Sequence, residues 1–254
     1  MNLHEDLLQA ILPGKILAVQ IGLARTAVLA ETEDGIRCGL AATLSTPKLD
    51  HHKQPSVRDA GHLHEMTSFE LASLIKSTSF TEVGIGIAAI NALLPRDPAQ
   101  WIDLKAEDYI AQHGADKNVA IVGHFPFVDQ LRTQVKNLWV LELEPKDGDL
   151  PAEAAPEIIP QADIIAITAM TLVNKTFQGL MELRRPNSEV VLLGPSTPLS
   201  PVLYQHGINV ISGTIVTDPK AVLMAIGQGV SFRQLRQQNL VRLVTMKSQK
   251  PATN

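Results

Sequence analysis

The second half of the sequence repeats one pattern, in which a short run of apolar, β-branched residues is followed by a segment with helical spacing. The apolar runs are NVAIVG (starting at Asn118), LWVLELEP, DIIAITAM, EVVLLGP and NVISGTIV. Helical segments follow at 127–135, 174–183, 200–206 and 218–226. Unbroken apolar runs are typical of strands covered on both faces, and their alternation with helices predicts a parallel sheet with right-handed crossovers. We therefore predict a Rossmann-like, doubly wound α/β domain from Asn118 onward.

The first half predicts a smaller α+β unit. A helix over 2–11 precedes three strands at 16–21, 26–30 and 36–40, and two helices follow at 68–76 and 83–94. A sheet of this size cannot cover both of its faces, so we expect the unit to dock on the domain that follows. The predicted division is 1–97 for the small domain, 98–117 for a linker and 118–254 for the Rossmann-like domain.

One segment of the first half matches the G-x-G-x-x-A dinucleotide fingerprint. The match is GIGIAA from Gly84, with the second glycine at Gly86. The fingerprint binds a pyrophosphate only in the turn between a strand and a helix, but Ser79 and Glu82 have the spacing of a capping box and place both glycines inside a helix. This pattern favours close helix packing over a phosphate loop. Asn91, on the same small-residue face, is predicted to be buried and hydrogen-bonded.

Composition and charge narrow the classes of partner. The 254 residues carry a formal net charge of -4, which argues against nucleic acid as the main partner. The single cysteine, Cys38, excludes an internal disulfide and a zinc site built from cysteines. The N-terminal residues have no features of a secretory signal, and no uncharged run approaches the roughly 20 residues that cross a bilayer. We therefore expect a cytoplasmic protein that binds a small molecule and no membrane; the apolar face of the small domain is compatible with a homodimer.

The residues that directly follow the strands of the second half are the candidate ligand-binding residues. In parallel sheets of this kind a ligand binds outside the carboxyl ends of the strands, where the strand order reverses. His124 follows the first strand and is the candidate general acid or base. The other candidates from these segments are Gly123, Pro126, Thr168, Thr171, Asn174, Thr176, Gly194, Pro195 and Ser196. The threonines and Asn174 can cap the helix that follows them, and its amides favour an anionic or carbonyl-bearing ligand.

Two acids end the second strand of this domain. Glu142 and Glu144 lie 19 and 21 residues after Gly123, where a Rossmann domain places the acid that binds a ribose. The turn after the first strand lacks the other fingerprint glycines, and Pro126 has no amide hydrogen for a phosphate, so a standard NAD site is not expected. The acids are therefore solvated, bind the hydroxyls of a nucleoside-type ligand, or act with His124 in acid–base chemistry.

Histidines in and after a long polar loop are candidate metal ligands. His62 and His64 are two residues apart, and His51 and His52 lie earlier in the same region. Neutral imidazoles at this spacing can share a divalent metal, but no third or fourth ligand is fixed by the spacing, and solvated loop histidines are the alternative. No G-x-S-x-G, H-E-x-x-H or P-loop motif is present, so the corresponding hydrolase and kinase classes have no support.

Several strings, taken together, resemble the Putative heavy-metal chelation family. They are GIGIAAINALLP, VGHFPF, ELEP, DGDLP, ADIIAITAMTLVNKTF and LLGPSTPLSP, in this order along most of the chain. The resemblance implies an enolase N-terminal-like domain followed by a methyltransferase-related Rossmann-like domain, with a site at their junction. It also implies a role with pterin-, flavin- or siderophore-like metal-binding molecules. The matching positions are Asn91, Gly123, His124, Pro126, Glu142, Thr168, Asn174, Thr176, Gly194, Pro195 and Ser196. His62 and His64 lie outside these strings.

These observations leave three functions open. The first is an enzyme that condenses or hydrolyses a chelator-like heterocycle, with His124 and either Glu142 or Glu144 as acid and base. The second is a non-catalytic protein that holds a metal or a metal–chelator complex. The third is a transferase with a nucleoside cofactor similar to S-adenosylmethionine, which depends on the two acids.

Overall fold

Two sheets organise the part of the chain that the computed structural model describes, residues 2–47 and 55–248. The first is a three-stranded antiparallel sheet and the second a seven-stranded, mostly parallel one, which confirms the predicted α/β class. The strands are β1 (Lys15–Ile21), β2 (Arg25–Thr32), β3 (Gly35–Ala42), β4 (Asn118–Val122), β5 (Asn137–Glu142), β6 (Leu150–Pro151), β7 (Ile164–Thr168), β8 (Glu189–Leu193), β9 (Val210–Val216) and β10 (Val241–Lys247).

The α-helices lie on both faces of the large sheet and around the small one. They are α1 (Leu3–Gln9), α2 (Ser68–Ser73), α3 (Phe80–Leu93), α4 (Ala106–Gly114), α5 (Val128–Leu131), α6 (Ala155–Ile158), α7 (Met170–Val173), α8 (Phe177–Leu183), α9 (Val202–Gln205), α10 (Pro219–Gly227) and α11 (Phe232–Gln237). Within the described ranges, no helix is long and apolar enough to cross a membrane.

The strand order of the large sheet reverses beside β4. The order is β10-β9-β8-β7-β4-β5-β6, so the chain runs outward from β4 through β5 to β6 and then returns to the other side of β4 as β7. The neighbouring pairs from β9 to β6 are parallel, and β10 runs antiparallel to β9 at the edge. A crevice therefore opens at the carboxyl ends of β4 and β7, as expected where loops from adjacent strands leave on opposite faces.

Helix α3 is the central helix of the first half, and 12 of its 14 residues are buried. A Cβ atom at Gly84 would lie 2.6 Å from the carbonyl oxygen of Ala42, and one at Gly86 would lie 2.2 Å from the amide nitrogen of Ile75. Real Cβ atoms do not approach backbone this closely, so both glycines serve helix packing. The G-x-G-x-x-A match is thus a packing motif, as the capping pattern predicts.

The first half docks on the second through polar as well as apolar contacts. Buried side chains of both halves belong to one continuous apolar core. Asn91 on α3 donates hydrogen bonds from Nδ2 to the carbonyl oxygen of Leu40 (2.9 Å) and to that of Ser196 (3.3 Å). Ser196 Oγ in turn accepts a hydrogen bond from the amide of Ala42 at 2.8 Å. The hydrogen bonds of Asn91 agree with the expectation from the sequence, but the residue is half-buried rather than buried.

Several helix boundaries differ from the predicted ones because short-range patterns do not define helix ends well. The helix predicted at 68–76 is α2 only as far as Ser73, with Thr67 as its N-cap, and the helix predicted at 174–183 begins only at Phe177. Glu82 does not complete a reciprocal capping box, because its carboxylate binds the backbone and guanidinium of Arg58 instead.

Several elements were not predicted from the sequence, among them the edge strand β10 and the helices α4 and α11. Helix α4 lies within the predicted linker 98–117, and it buries Tyr109 and Ile110 in the apolar cluster on one face of the large sheet. The apolar stripe of α4 is short and the outer face of the helix is polar, so the helical pattern is weak in the sequence. The boundaries assigned to the two domains stay a prediction.

The substitution Gly86→Ala tests the packing role of α3. We expect a net loss of about 1–2 kcal/mol. A Cβ 2.2 Å from backbone places the overpacking cost in the upper part of about 1–3 kcal/mol, above the gain in helix propensity of about 1 kcal/mol. Gly179→Ala in α8 is the matched control, since nothing lies within 4 Å of a Cβ built there. Urea unfolding measures both free energies. A Gly86→Ala protein as stable as the wild type would contradict the packing interpretation.

Candidate functional site

A cleft of about 1500 Å³, here called the strand-end cleft, lies at the carboxyl ends of the large sheet. Its floor comes from the ends of β4, β5, β7 and β8 and from inner residues of β9 and β10. Most predicted site residues line it: Gly123, His124, Pro126, Glu142, Thr168, Thr171, Asn174, Thr176, Gly194, Pro195 and Ser196. The cleft exceeds the roughly 300–1,000 Å³ of most small-molecule sites, so it can take an elongated ligand.

Two glycine turns shape the centre of the cleft. Gly123 after β4 and Gly194 after β8 have φ values of 99° and 117°, which lie in the region that favours glycine. A Cβ at Gly123 would also lie only 3.0 Å from Cγ2 of Thr168 at the end of β7. Since both turns need glycine, the chain can pass directly over the strand ends and bring its polar groups to the reversal of strand order.

His124 is held at the cleft wall by a buried carboxylate. Its Nδ1 lies 2.8 Å from Oδ2 of Asp149, whose side chain is 0% exposed, whereas the histidine side chain is 20% exposed. The guanidinium of Arg132 lies 3.6 Å from the other oxygen, Oδ1. Burial raises the pKa of Asp149, but hydrogen bonds from His124 and from the amide of Lys146, with the charge of Arg132, outweigh it and lower the pKa overall. Asp149 is therefore ionised at neutral pH.

Glu142 binds backbone amides on the same wall. Its Oε2 accepts a hydrogen bond from the amide of His124 at 2.7 Å, and its Oε1 accepts one from the amide of Leu143 at 2.8 Å. These contacts fix the turn that carries the histidine, so Glu142 positions His124; its acid–base or hydroxyl-binding role stays a prediction. Glu144 is exposed and is not part of the cleft wall.

The end of β7 carries a cluster of hydroxyls and an amide. Thr171 Oγ1 donates to the carbonyl oxygen of Thr168 at 2.7 Å. The side-chain oxygen of Asn174 accepts hydrogen bonds from the amide (3.2 Å) and the hydroxyl (2.7 Å) of Thr176. The expected helix capping is wrong: Thr176 precedes α8 without a side-chain capping bond, and α7 begins after Ala169. The side chain of Asn174 closes a local turn instead.

Asn91 lies behind the cleft rather than on its wall. It borders a separate cavity of about 20 Å³ between the two halves, and its hydrogen bond to the Ser196 carbonyl supports the loop after β8. Ser196 itself is only 2% exposed and its hydroxyl accepts the amide of Ala42. Both residues therefore join the first half to the cleft, and any contact with a ligand stays a prediction.

The predicted metal ligands lie on the surface and away from the strand-end cleft. His62 and His64 are exposed, and their ring nitrogens lie 3.2 Å and 3.9 Å from Oε1 of Glu65. Across 2–47 and 55–248, no group of three or more His, Cys, Asp or Glu side chains is arranged to hold a metal. His51 and His52 lie outside the described residues. Metal binding at His62 and His64 stays a prediction.

Asp149 and Arg25 were not identified as site residues in the sequence, and Phe125 and Phe127 were identified only as members of a strand-end segment. Asp149 belongs to the string DGDLP, which carried the family resemblance, but nothing in that string indicates contact with His124. Phe125 and Phe127 stack with ring centroids 5.2 Å apart and form a flat apolar part of the wall. Arg25 reaches the cleft from the first half, and no sequence signal indicates it.

Comparisons with known proteins agree with this architecture. A family model described as "DUF364: Putative heavy-metal chelation" matches residues 106–245, and one described as "DUF4213: Putative heavy-metal chelation" matches residues 4–94. An uncharacterised protein of Methanocaldococcus jannaschii is 25% identical over 225 residues, which cover 83% of this chain and 82% of that protein.

Two crystal structures of DUF364 proteins with unknown function have the same fold. The protein from Desulfitobacterium hafniense is 25% identical with a TM-score of 0.77, and the match covers 96% of this chain and 97% of that one. The protein from Pyrococcus horikoshii is 20% identical with a TM-score of 0.83, and the match covers 97% and 98% of the two chains.

The substitution Asp149→Asn should destabilise the protein in a pH-dependent way. The folded-state pKa of Asp149 is lowered from its ordinary 3.8, so the ionised group stabilises the fold above that pH, and this stabilisation is lost as the pH falls through the folded-state pKa. We expect a loss of about 1–3 kcal/mol at pH 7, typical of a buried charged hydrogen bond. Urea unfolding at pH 7, 5 and 3 measures it, with exposed Glu144→Gln as the control. A deficit that is the same at pH 7 and pH 3 would contradict this role.

Proposed function

The chain belongs to the Putative heavy-metal chelation family, and we propose that its strand-end cleft binds a planar, metal-chelating small molecule of the pterin, flavin or siderophore class. In this proposal His124 acts on the bound molecule as a general base and then a general acid. The observation that carries it is the pair of His124 and buried Asp149 at the reversal of strand order.

The carboxylate of Asp149 sets the tautomer of the histidine. An ionised carboxylate only accepts hydrogen bonds, so Nδ1 of His124 must donate and the neutral ring carries its lone pair on Nε2. Nε2 has no hydrogen bond to any residue of the described ranges. A base in this state can take a proton from a hydroxyl or a water molecule in the cleft and return it to a leaving group.

The wall next to His124 suits a flat heterocycle. The stacked rings of Phe125 and Phe127 offer an apolar surface, and the strand-end segments add the hydroxyl of Thr168 and the amide of Asn174 nearby. Sites for drug-sized ligands combine such apolar surfaces with a few polar groups that fix the orientation. The cleft is large enough for two or three fused rings with a substituent.

A second candidate function is the non-catalytic binding of a metal–chelator complex. The same pair favours it, because metal-ligating histidines commonly donate their second ring N–H to a carboxylate, as His124 does to Asp149. In this case Nε2 would contact the metal, while the chelator would supply the remaining ligands. The scarcity of grouped protein ligands in the described part of the chain fits a metal that arrives with its chelator.

Titration with fluorescent probes tests the proposed binding. Riboflavin and pterin are titrated against the wild type, His124→Ala and the control His64→Ala, whose side chain is exposed. We expect both probes to bind the wild type and His64→Ala equally, and His124→Ala to bind about tenfold more weakly, the loss expected for one hydrogen bond to the ring. No binding of either probe, or equal binding by all three proteins, would contradict the proposal.

Metal retention distinguishes the two candidates. The three proteins are incubated with Fe³⁺ and 2,3-dihydroxybenzoate, with each component alone as a control, and the bound iron is measured after gel filtration. Retention only with both components, and its loss in His124→Ala, favours a metal–chelator binding protein. Retention that depends on His64 instead would favour the surface histidines as ligands.

A further inference from the structure

Arg25 carries a partly buried positive charge that no carboxylate of the described residues neutralises. It begins strand β2, lines the strand-end cleft and is half-buried. Its Nη1 donates to the carbonyl oxygen of Ala24 at 2.7 Å, while its buried Nε has no partner in the described ranges. Three carboxylates line the same cleft, those of Glu107, Glu142 and Glu153, but none lies within 4 Å of the guanidinium.

The backbone around Arg25 is fixed before any ligand arrives. The amide of Gly22 donates to the carbonyl oxygen of Arg25 at 2.9 Å, and the amide of Thr43 donates to that of Ala24 at 3.2 Å. A Cβ at Gly22 would lie 2.5 Å from the carbonyl oxygen of Ile226, so the β1–β2 hairpin rests directly on the end of α10. The guanidinium is therefore presented from a rigid hairpin, which lowers the entropy cost of binding.

An aromatic ring lies beside Arg25, and two more arginines line the same cleft. The guanidinium carbon of Arg25 lies 5.9 Å from the ring centroid of Phe232, the first residue of α11. Arg233 and Arg236 of the same helix also line the cleft, and neither has an ion pair among the described residues. Arg236 is four residues after Phe232 and so lies on the same helix face. We call Arg25, Arg233 and Arg236 the arginine end of the cleft.

Buried charges in proteins are normally paired, because removal from water penalises an isolated ion. Burial accordingly lowers the pKa of Arg25 below its ordinary value. Arginine presents five N–H donors in a planar fork that matches the oxygens of phosphate and carboxylate groups. A desolvated guanidinium with unused donors in a ligand cleft therefore has the chemistry of an anion-binding group.

The arginine end and His124 lie on opposite sides of the cleft. His124 follows β4, whereas α11 leads into the edge strand β10, next to β9. Four strand spacings separate β4 from β10, which is about 19 Å at about 4.8 Å for each spacing. One ligand that reaches both ends would have a ring system beside His124 and a substituent that extends toward α11.

We propose that the arginine end is an oxyanion subsite, which binds a phosphate or carboxylate group carried by the ligand of the strand-end cleft. This inference rests on the proposed function for the identity of the ring system. The binding of the anionic group does not depend on that identity. It narrows the ligand class from planar chelators in general to those with an anionic side chain. Arg25 is the central contact, and Arg236 supports it from the opposite domain.

A matched pair of probes tests the subsite. FMN and riboflavin share one ring system and differ by a phosphate, so the ratio of their dissociation constants isolates the anion contact. We expect the wild type to bind FMN at least about tenfold more tightly than riboflavin, as for a charge-assisted hydrogen bond. Arg25→Gln should abolish this preference, because it weakens the binding of FMN about tenfold more than the binding of riboflavin. Arg236→Gln, at an exposed helix position where the fold does not depend on it, should reduce the preference.

The control is Arg242→Gln, which removes the same charge at an exposed position of β10 outside the cleft. It should behave as the wild type. Equal binding of FMN and riboflavin by the wild type, or the same loss in Arg242→Gln as in Arg25→Gln, would overturn the subsite.

Thermal unfolding with small anions that have no ring system tests the subsite separately from the proposed function. Pyrophosphate, phosphate and malonate are added to each protein, and stabilisation of the wild type that is absent in Arg25→Gln supports the subsite even if neither flavin binds. Stabilisation by the phosphates but not by malonate identifies a phosphate-bearing ligand, and the reverse identifies a carboxylate. If no anion raises the unfolding temperature of the wild type by more than it raises that of Arg25→Gln, the subsite is wrong, whatever the ring probes show.

Discussion

Direct backbone contact between helix α3 and strand β3 is the constraint on which the rest of the structure depends. A Cβ at Gly39 would lie 2.1 Å from the carbonyl oxygen of Ala88, and one at Gly84 would lie 2.6 Å from that of Ala42. Because no side chain separates the two elements, α3 lies close enough for Asn91 to bridge β3 and the loop after β8. The small sheet is thereby docked on the large one, and its first hairpin can reach the strand-end cleft.

Among the described residues, some charged side chains at or near the cleft are paired within the fold and others, such as half-buried Arg25, are not. Asp149 is paired with His124 and lies near Arg132, and buried Glu82 is paired with Arg58. Arg25 has no such partner within the described residues. An unpaired buried charge lowers the stability of the fold. Features that lower stability in this way are expected at functional sites, where a ligand can pair with the charge. The proposals for His124 and Arg25 therefore rest on different physical grounds.

The candidate site was only partly predictable. The rule that ligands bind at the carboxyl ends of parallel strands identified the turn at Gly123 and His124 and the loop at Gly194, because it needs only the strand positions. Asp149 was missed because its contact with His124 spans 25 residues and depends on how the chain after β5 folds back. The sequence indicates Glu142 as an acid or a ribose ligand, and this role stays a prediction. What the sequence does not indicate is that its two carboxylate oxygens accept hydrogen bonds from the amides of His124 and Leu143.

The sequence by itself determined the alternation of strands and helices, the location of polar groups at the carboxyl ends of the parallel strands, and the helical placement of Gly84 and Gly86. These features follow from side-chain periodicity and local capping, which act over a few residues. Only the tertiary structure decided that Asp149 holds His124, that α4 packs on the sheet, and that Arg25 enters the cleft from the other half. Such contacts join residues far apart in the chain, and their geometry depends on the packing of whole elements rather than on any local pattern.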